Sequence, residues 1–120
     1  MGKLVLVVDD DQDVRGLISY ALRDAGYEVA ALADGVEALE FLKTTPATLT
    51  VVDLRMPGMD GGEFLRRRKE LSIDGPVLIL TAASPDEVGH VLGDFTGALR
   101  LSKPFDLEEL LMVVRAHLST

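Results

Sequence analysis

Five short apolar runs punctuate the chain, and amphipathic stretches separate them. Lys3–Val8 reads as a fully buried strand. Val14, Leu17, Ile18, Ala21, Leu22 and Ala25 then recur at helical spacing and predict one inward face, which Gly26 ends as a C-terminal cap. Tyr27–Leu32 predicts a second strand with a weaker apolar run. Asp34 suits the cap of a helix to about Lys43, with Val36, Leu39 and Leu42 inward. Leu49–Val52 predicts the third strand, and Asp60 caps a helix to about Leu71 that buries Phe64 and Leu65. Gly75–Pro76 turns into a fourth strand, Val77–Leu80. Ser84 and Pro85 open a fourth helix, made the least secure by Gly89 and Gly93. Gly97–Leu101 predicts a short fifth strand. Asp106 caps a last helix with Leu107, Leu110, Leu111, Val114 and Leu118 inward, leaving Met112 and Val113 toward the flank or outside.

Strands alternating with helices, and too apolar to show a wet face, predict a parallel sheet covered on both sides. The expected fold class is therefore α/β, a flavodoxin-like (βα)5 three-layer sandwich formed by residues 1–120 as one domain. The strand order 2-1-3-4-5 is taken from folds of that type, with the weakest strand at an edge.

Composition narrows the function classes. Hydrophobic residues make up 48% of the chain, enough for a real core. A net charge of −8 argues against direct nucleic-acid binding, which needs a basic face. The local run Arg66–Arg67–Arg68–Lys69 reads as a solvated helix face. No apolar run approaches membrane-spanning length, and no signal peptide is visible, so no membrane partner is expected. Zero cysteines fit a reducing, cytoplasmic compartment.

Four of the apolar runs end in polar residues of complementary chemistry. Val5–Val8 runs into Asp9–Asp10, Leu49–Val52 into Asp53, Val77–Leu80 into Thr81, and Leu99–Ser102 into Lys103–Pro104. In an open parallel sheet those exits share one edge, where ligands bind. Three close carboxylates repel one another unless a cation joins them. So few carboxylates, with room for water and a phosphate oxygen, suit Mg²⁺ better than Ca²⁺. Lys103 adds a positive charge and Thr81 a hydroxyl donor, which together match the needs of a phosphoryl group on Asp53. Each residue also has a plainer reading: Asp9–Asp10–Asp11 as helix caps, Asp53 and Thr81 as turn or cap residues, Lys103 as a solvated loop residue. Asp9, Asp11 and Asp13 imitate a calcium loop, but Val14 and Tyr20 stand where such a loop needs Gly and Glu.

Four motifs in order resemble the receiver domain of bacterial two-component response regulators. They are Val7–Val8–Asp9–Asp10–Asp11, the segment Val51–Gly61 around Asp53, Leu80–Thr81–Ala82, and Ser102–Lys103–Pro104–Phe105. The resemblance implies that Asp53 takes a phosphoryl group from the phosphohistidine of a histidine kinase or phosphotransfer protein. It implies that Asp10 and Asp53 bind Mg²⁺ directly, with the backbone carbonyl of Arg55 as a third ligand and Asp9 as a supporting acid. Thr81 and Lys103 would bind the phosphoryl oxygens, small Ala82 would leave room, and the Lys103–Pro104 peptide would be cis. An effector or a second copy would dock on the face of the fourth helix, fifth strand and fifth helix. Such a domain is a signalling phosphoacceptor rather than an enzyme with its own substrate.

One position departs from that family. An aromatic residue usually precedes the lysine by three, where this chain has Arg100; a shift of one gives Leu99, and Phe95 is the nearest ring. This favours a second class, an interaction domain that works without phosphorylation. A flavin or nucleotide carrier would need a Gly/Ser/Thr-rich phosphate loop where Asp9–Asp10–Asp11 stands. A metal-dependent phosphatase would need a separate general acid or base near Asp53, and none is evident.

Overall fold

The computed structural model describes residues 3–82, 85–92 and 98–118. Strands and helices alternate throughout: β1 (Leu4–Val8), α1 (Gln12–Asp24), β2 (Glu28–Leu32), α2 (Gly35–Thr44), β3 (Leu49–Asp53), α3 (Gly61–Glu70), β4 (Val77–Thr81), α4 (Pro85–Leu92), β5 (Leu99–Ser102) and α5 (Leu107–Leu118). The strands form one parallel sheet in the order β2-β1-β3-β4-β5, as expected of a flavodoxin-like sandwich. The predicted Ser84 cap, Gly93, Phe95 and the Gly97 strand start lie outside the described residues.

Period-two side-chain alternation splits the core into two layers. Leu6, Val8, Val52, Val77 and Ile79 pack with Ala38, Leu42, Phe64, Leu65 and Val88 from α2, α3 and α4. Val5, Val7, Leu49, Val51, Leu78 and Leu80 pack with Ile18, Leu22, Leu110, Val114 and Leu118 from α1 and α5. The central strands β1 and β3 are buried on both faces, which is why they are apolar at nearly every position. Edge strand β2 is half-exposed along most of its length. No helix among the described residues is long and apolar enough to cross a membrane.

Several side chains lie elsewhere than the periodicity predicts. Leu17 is 57% exposed and Val36 59% exposed, although both were expected inward. In α2 the inward face is Gly35, Ala38, Leu39 and Leu42, because Gly35 sits directly against the Met59 side chain. That contact rotates Val36 outward. In α5 Met112 is exposed as expected, but Val113 is half-buried against the α1–α5 layer. The basic run of α3 is not uniformly solvated either. Arg68 follows Gly61 and Leu65 on the inward face, is 5% exposed, and donates from Nη2 to the Gly75 carbonyl at 2.5 Å.

Candidate functional site

Strand register brings the polar exits together. Val8 stands opposite Val52, so the residues that follow, Asp9 and Asp53, leave the sheet side by side. Thr81 stands opposite Ser102, and the next residue, Lys103, donates its N–H to the Thr81 carbonyl at 2.7 Å. The Lys103–Pro104 peptide is cis. Two glycines shape the loop after Asp53. Gly58 has φ +81, which side chains other than glycine rarely adopt. At Gly61 a Cβ would lie 3.0 Å from the Leu54 Cα and 3.2 Å from the Asp53 carbonyl oxygen. A side chain there would press the Leu54 and Asp53 backbone by a few tenths of an ångström, so glycine suits the close start of α3.

The three consecutive acids divide their work. Asp11 is the N-cap of α1, its side chain accepting from the N–H groups of Asp13 and Val14. Asp9, Asp10 and Asp53 each turn a carboxylate oxygen into one cluster whose members lie within 4.8 Å of one another. Asp9 is fully buried, Asp53 and Thr81 are buried, and Asp10 is exposed. Lys103 Nζ lies 3.3 Å from Asp53 Oδ2 and 3.7 Å from Asp9 Oδ2. Asp53 Oδ1 accepts from the Arg55 N–H at 3.3 Å, and the Arg55 guanidinium pairs with Glu87 of α4. Ala82 is exposed beside Thr81.

This cluster is acid-rich and under strain of charge. Burial pushes the Asp9 carboxyl above its ordinary range; the Asp11 N–H bond opposes that push, Asp53 and Asp10 add to it, and Lys103 offsets part. Among the described residues Asp9 Oδ2 has no hydrogen-bond donor. A buried carboxylate oxygen facing two more carboxylates, one open to water, fits a small divalent cation. Asp9, Asp10 and Asp53 could hold it.

Of the residues read from the sequence, the structure gathers Asp9, Asp10, Asp53 and Lys103 in one cluster and places Thr81 at the neighbouring strand end, its carbonyl bonded to the Lys103 N–H. Sequence reasoning overlooked Arg15, whose Nη1 donates to the Asp9 carbonyl at 2.8 Å. The signal available was its placement one turn into a helix that begins just after the acids. A largely apolar cavity of about 470 Å³ adjoins Lys103, walled by Leu17, Ile18, Phe105 and Leu107.

Residues 5–115 match the family described as response regulator receiver domain. Response regulator MprA of Mycobacterium ulcerans (strain Agy99) is 43% identical over 120 residues, which are 98% of this chain and 51% of that protein. The alkaline phosphatase synthesis transcriptional regulatory protein PhoP of Bacillus subtilis (strain 168) is 37% identical over 119 residues, 98% of this chain and 49% of its own length. The chain thus spans about half the length of these curated relatives. Chemotaxis protein CheY4 of Vibrio cholerae superposes with a TM-score of 0.84 at 36% identity, over 98% of this chain and 100% of that one. The receiver domain of a sensor histidine kinase from Pseudomonas aeruginosa PAO1, solved with a magnesium ion coordinated in its active site cleft, has the same fold. Its TM-score is 0.87 at 24% identity, with 100% of both chains covered.

Proposed function

The chain belongs to the response regulator receiver family of two-component signalling, and we propose that within it Asp53 is the phosphoacceptor. The observation that carries this reading is Asp53 at the exit of β3, 3.3 Å from Lys103 Nζ and clustered with Asp9 and Asp10. In the proposed reaction a carboxylate oxygen of Asp53 attacks the phosphorus of a phosphohistidine on a histidine kinase or phosphotransfer protein. The P–N bond breaks, the electron pair stays on the imidazole, and an acyl phosphate forms. Lys103 then follows the charge from the carboxylate to the phosphoryl oxygens, and the Thr81 hydroxyl donates to a second oxygen. Mg²⁺, held by Asp9, Asp10, Asp53 and the Arg55 carbonyl, would neutralise the carboxylates during transfer. Water reaching the same phosphorus would reverse the modification, so the domain assists its own phosphorylation and hydrolysis without a separate substrate.

Incubation with Mg²⁺ and acetyl phosphate should add one phosphoryl mass to the intact protein. Asp53→Asn should abolish it; labelling that survives this substitution refutes the assignment.

A second reading, an interaction domain independent of phosphorylation, is favoured by Arg100. It lies exposed on β5, opposite Ile79, where an aromatic is usual in the family. Under either reading the output surface is the α4-β5-α5 face, which carries exposed Met112 and receives an effector or a second copy. Amide exchange in α4 with and without a beryllofluoride mimic separates the two readings: a change in α4 supports switching, and none supports constitutive binding. Met112→Glu should weaken the partner contact without slowing labelling of Asp53. Slower labelling with intact binding would remove Met112 from that surface.

A further inference from the structure

We propose that Arg15 is a positioning residue for the acidic cluster, clamping the Asp9 main chain so that Oδ2 stays turned into the site. Asp9 has four polar atoms, and three are committed to different parts of the fold. Its N–H donates to the Leu32 carbonyl at the end of β2, 3.2 Å away. Its Oδ1 accepts from the Asp11 N–H at 2.9 Å. Its carbonyl accepts from Arg15 Nη1 at 2.8 Å. Oδ2 has no hydrogen-bond donor among the described residues, and its charged neighbour is Lys103 Nζ at 3.7 Å.

These bonds close a ring. The Asp11 N–H holds the Asp9 carboxylate, the Asp11 carbonyl accepts from the Arg15 N–H at 2.9 Å, and the Arg15 guanidinium returns to the Asp9 carbonyl. The Arg15 main chain is fixed in turn, since its own carbonyl accepts from Ser19 Oγ at 2.7 Å. Arg15 thus commits Nη1 to the Asp9 main-chain oxygen and not to the carboxylate oxygens of the cluster. A charged donor forms a stronger bond than a neutral one. Without it the Asp9–Asp11 segment can rotate, and the two carboxyl groups no longer meet Asp53 in one geometry. Outer groups that orient a metal ligand commonly matter tenfold or more for metal affinity.

The inference rests on the reading of Asp9, Asp10 and Asp53 as a Mg²⁺ site, and its test separates the two. Arg23 is a matched control: it also lies on α1 and donates to a main-chain carbonyl, that of Val29, but far from the acids. Mg²⁺ is titrated into wild type, Arg15→Gln, Arg15→Lys and Arg23→Gln at about 0.5 M salt, where surface charge effects are largely screened. Loss of a positive charge alone would tighten Mg²⁺ binding, so a weaker site reports geometry. Arg15→Gln should weaken Mg²⁺ by about tenfold, Arg15→Lys should recover most of that, and Arg23→Gln should change it less than about twofold. In the absence of Mg²⁺, exchange of the Asp11 amide should speed up in Arg15→Gln and not in Arg23→Gln. Unchanged or tighter Mg²⁺ binding in Arg15→Gln overturns the proposal. So does an Asp11 amide equally protected in wild type and Arg15→Gln. If wild type binds no Mg²⁺, the metal reading fails, and Asp11 exchange alone decides the clamp.

Discussion

Each end of the sheet buries an ionisable group, and the two ends treat it differently. Where the strands begin, Arg68 is withdrawn from water, and burial lowers its pKa while Asp74 partly restores it. Its guanidinium closes the turn into β4 by bonding the Gly75 carbonyl. Where the strands end, buried Asp9 meets two more acids and one lysine. At the first end a positive group meets a carbonyl that the chain supplies, although Arg68 Nε has no hydrogen-bond partner among the described residues. At the second, like charges gather, and the chain leaves them short of a cation. One arrangement serves the fold; the other costs the fold stability and leaves an open position for chemistry.

The sharpest way to break this contrast is at Arg68. Arg68→Ala should cost about 3 kcal/mol in urea unfolding, while Arg68→Met, which fills the space and removes the buried charge, should cost about 1 kcal/mol or less. Mg²⁺ binding should be unchanged in both; a weakened site would show that the two ends are coupled. Next in size is the cation itself. Mg²⁺ at a hundred times its dissociation constant should stabilise the wild type by about 2.7 kcal/mol, and Asp10→Ala should remove that gain. A thermal midpoint that ignores Mg²⁺ over a wide range would end the metal reading.

A smaller effect of opposite sign is expected at Asp9. Its folded pKa is raised, so the native state holds its proton more tightly than the unfolded chain does. That contribution to stability is fully present below the unfolded carboxyl value and is lost as pH rises through the folded one. At neutral pH without Mg²⁺, Asp9→Asn should therefore stabilise the protein by about 1 kcal/mol. It should also flatten the pH dependence across that window. A destabilised Asp9→Asn would mean that the carboxylate is satisfied as it stands. Smallest of all is Glu63→Gln. Glu63 pairs with Arg67, the exposed neighbour of Arg68, and its loss should cost about 0.4 kcal/mol in the same unfolding assay. A cost above about 1 kcal/mol would mean that exposure does not separate Arg67 from Arg68.

Much of this was legible in the residues. Short β-branched runs such as Val5–Val8 and Val77–Leu80, alternating with helical stretches, read as strands buried on both faces, and in a parallel sheet their polar exits share an edge. Capping was legible as well: Asp34, Asp60 and Asp106 each accept from the N–H three residues on. What stayed hidden depends on contacts between elements. Asp9 and Asp10 were read into the site, but the hydrogen bond that ties the Asp9 carboxylate to the Asp11 N–H was not. Arg15 and Arg68 both carry long stems that bring a charge to a distant carbonyl, and periodicity counts such residues as solvated. Val36 and Leu17 have inward spacing but sit at helix rims, where the rotation of the whole helix decides exposure. For Val36 that rotation follows from Gly35 against Met59, two residues with no visible connection in sequence.

The order of the strands has a consequence for how the protein comes into being. Asp9, Asp53, Thr81 and Lys103 arrive on β1, β3, β4 and β5 or just beyond, so within this domain the first acid is synthesised before the lysine. Domains emerge N-terminus first, and pairings distant in sequence form late. A half-synthesised domain thus displays Asp9 and Asp53 without the lysine that stands beside them in the finished fold. Under the proposed phosphoacceptor reading, the site is complete only once the last strand has docked, so competence to be modified would certify complete folding.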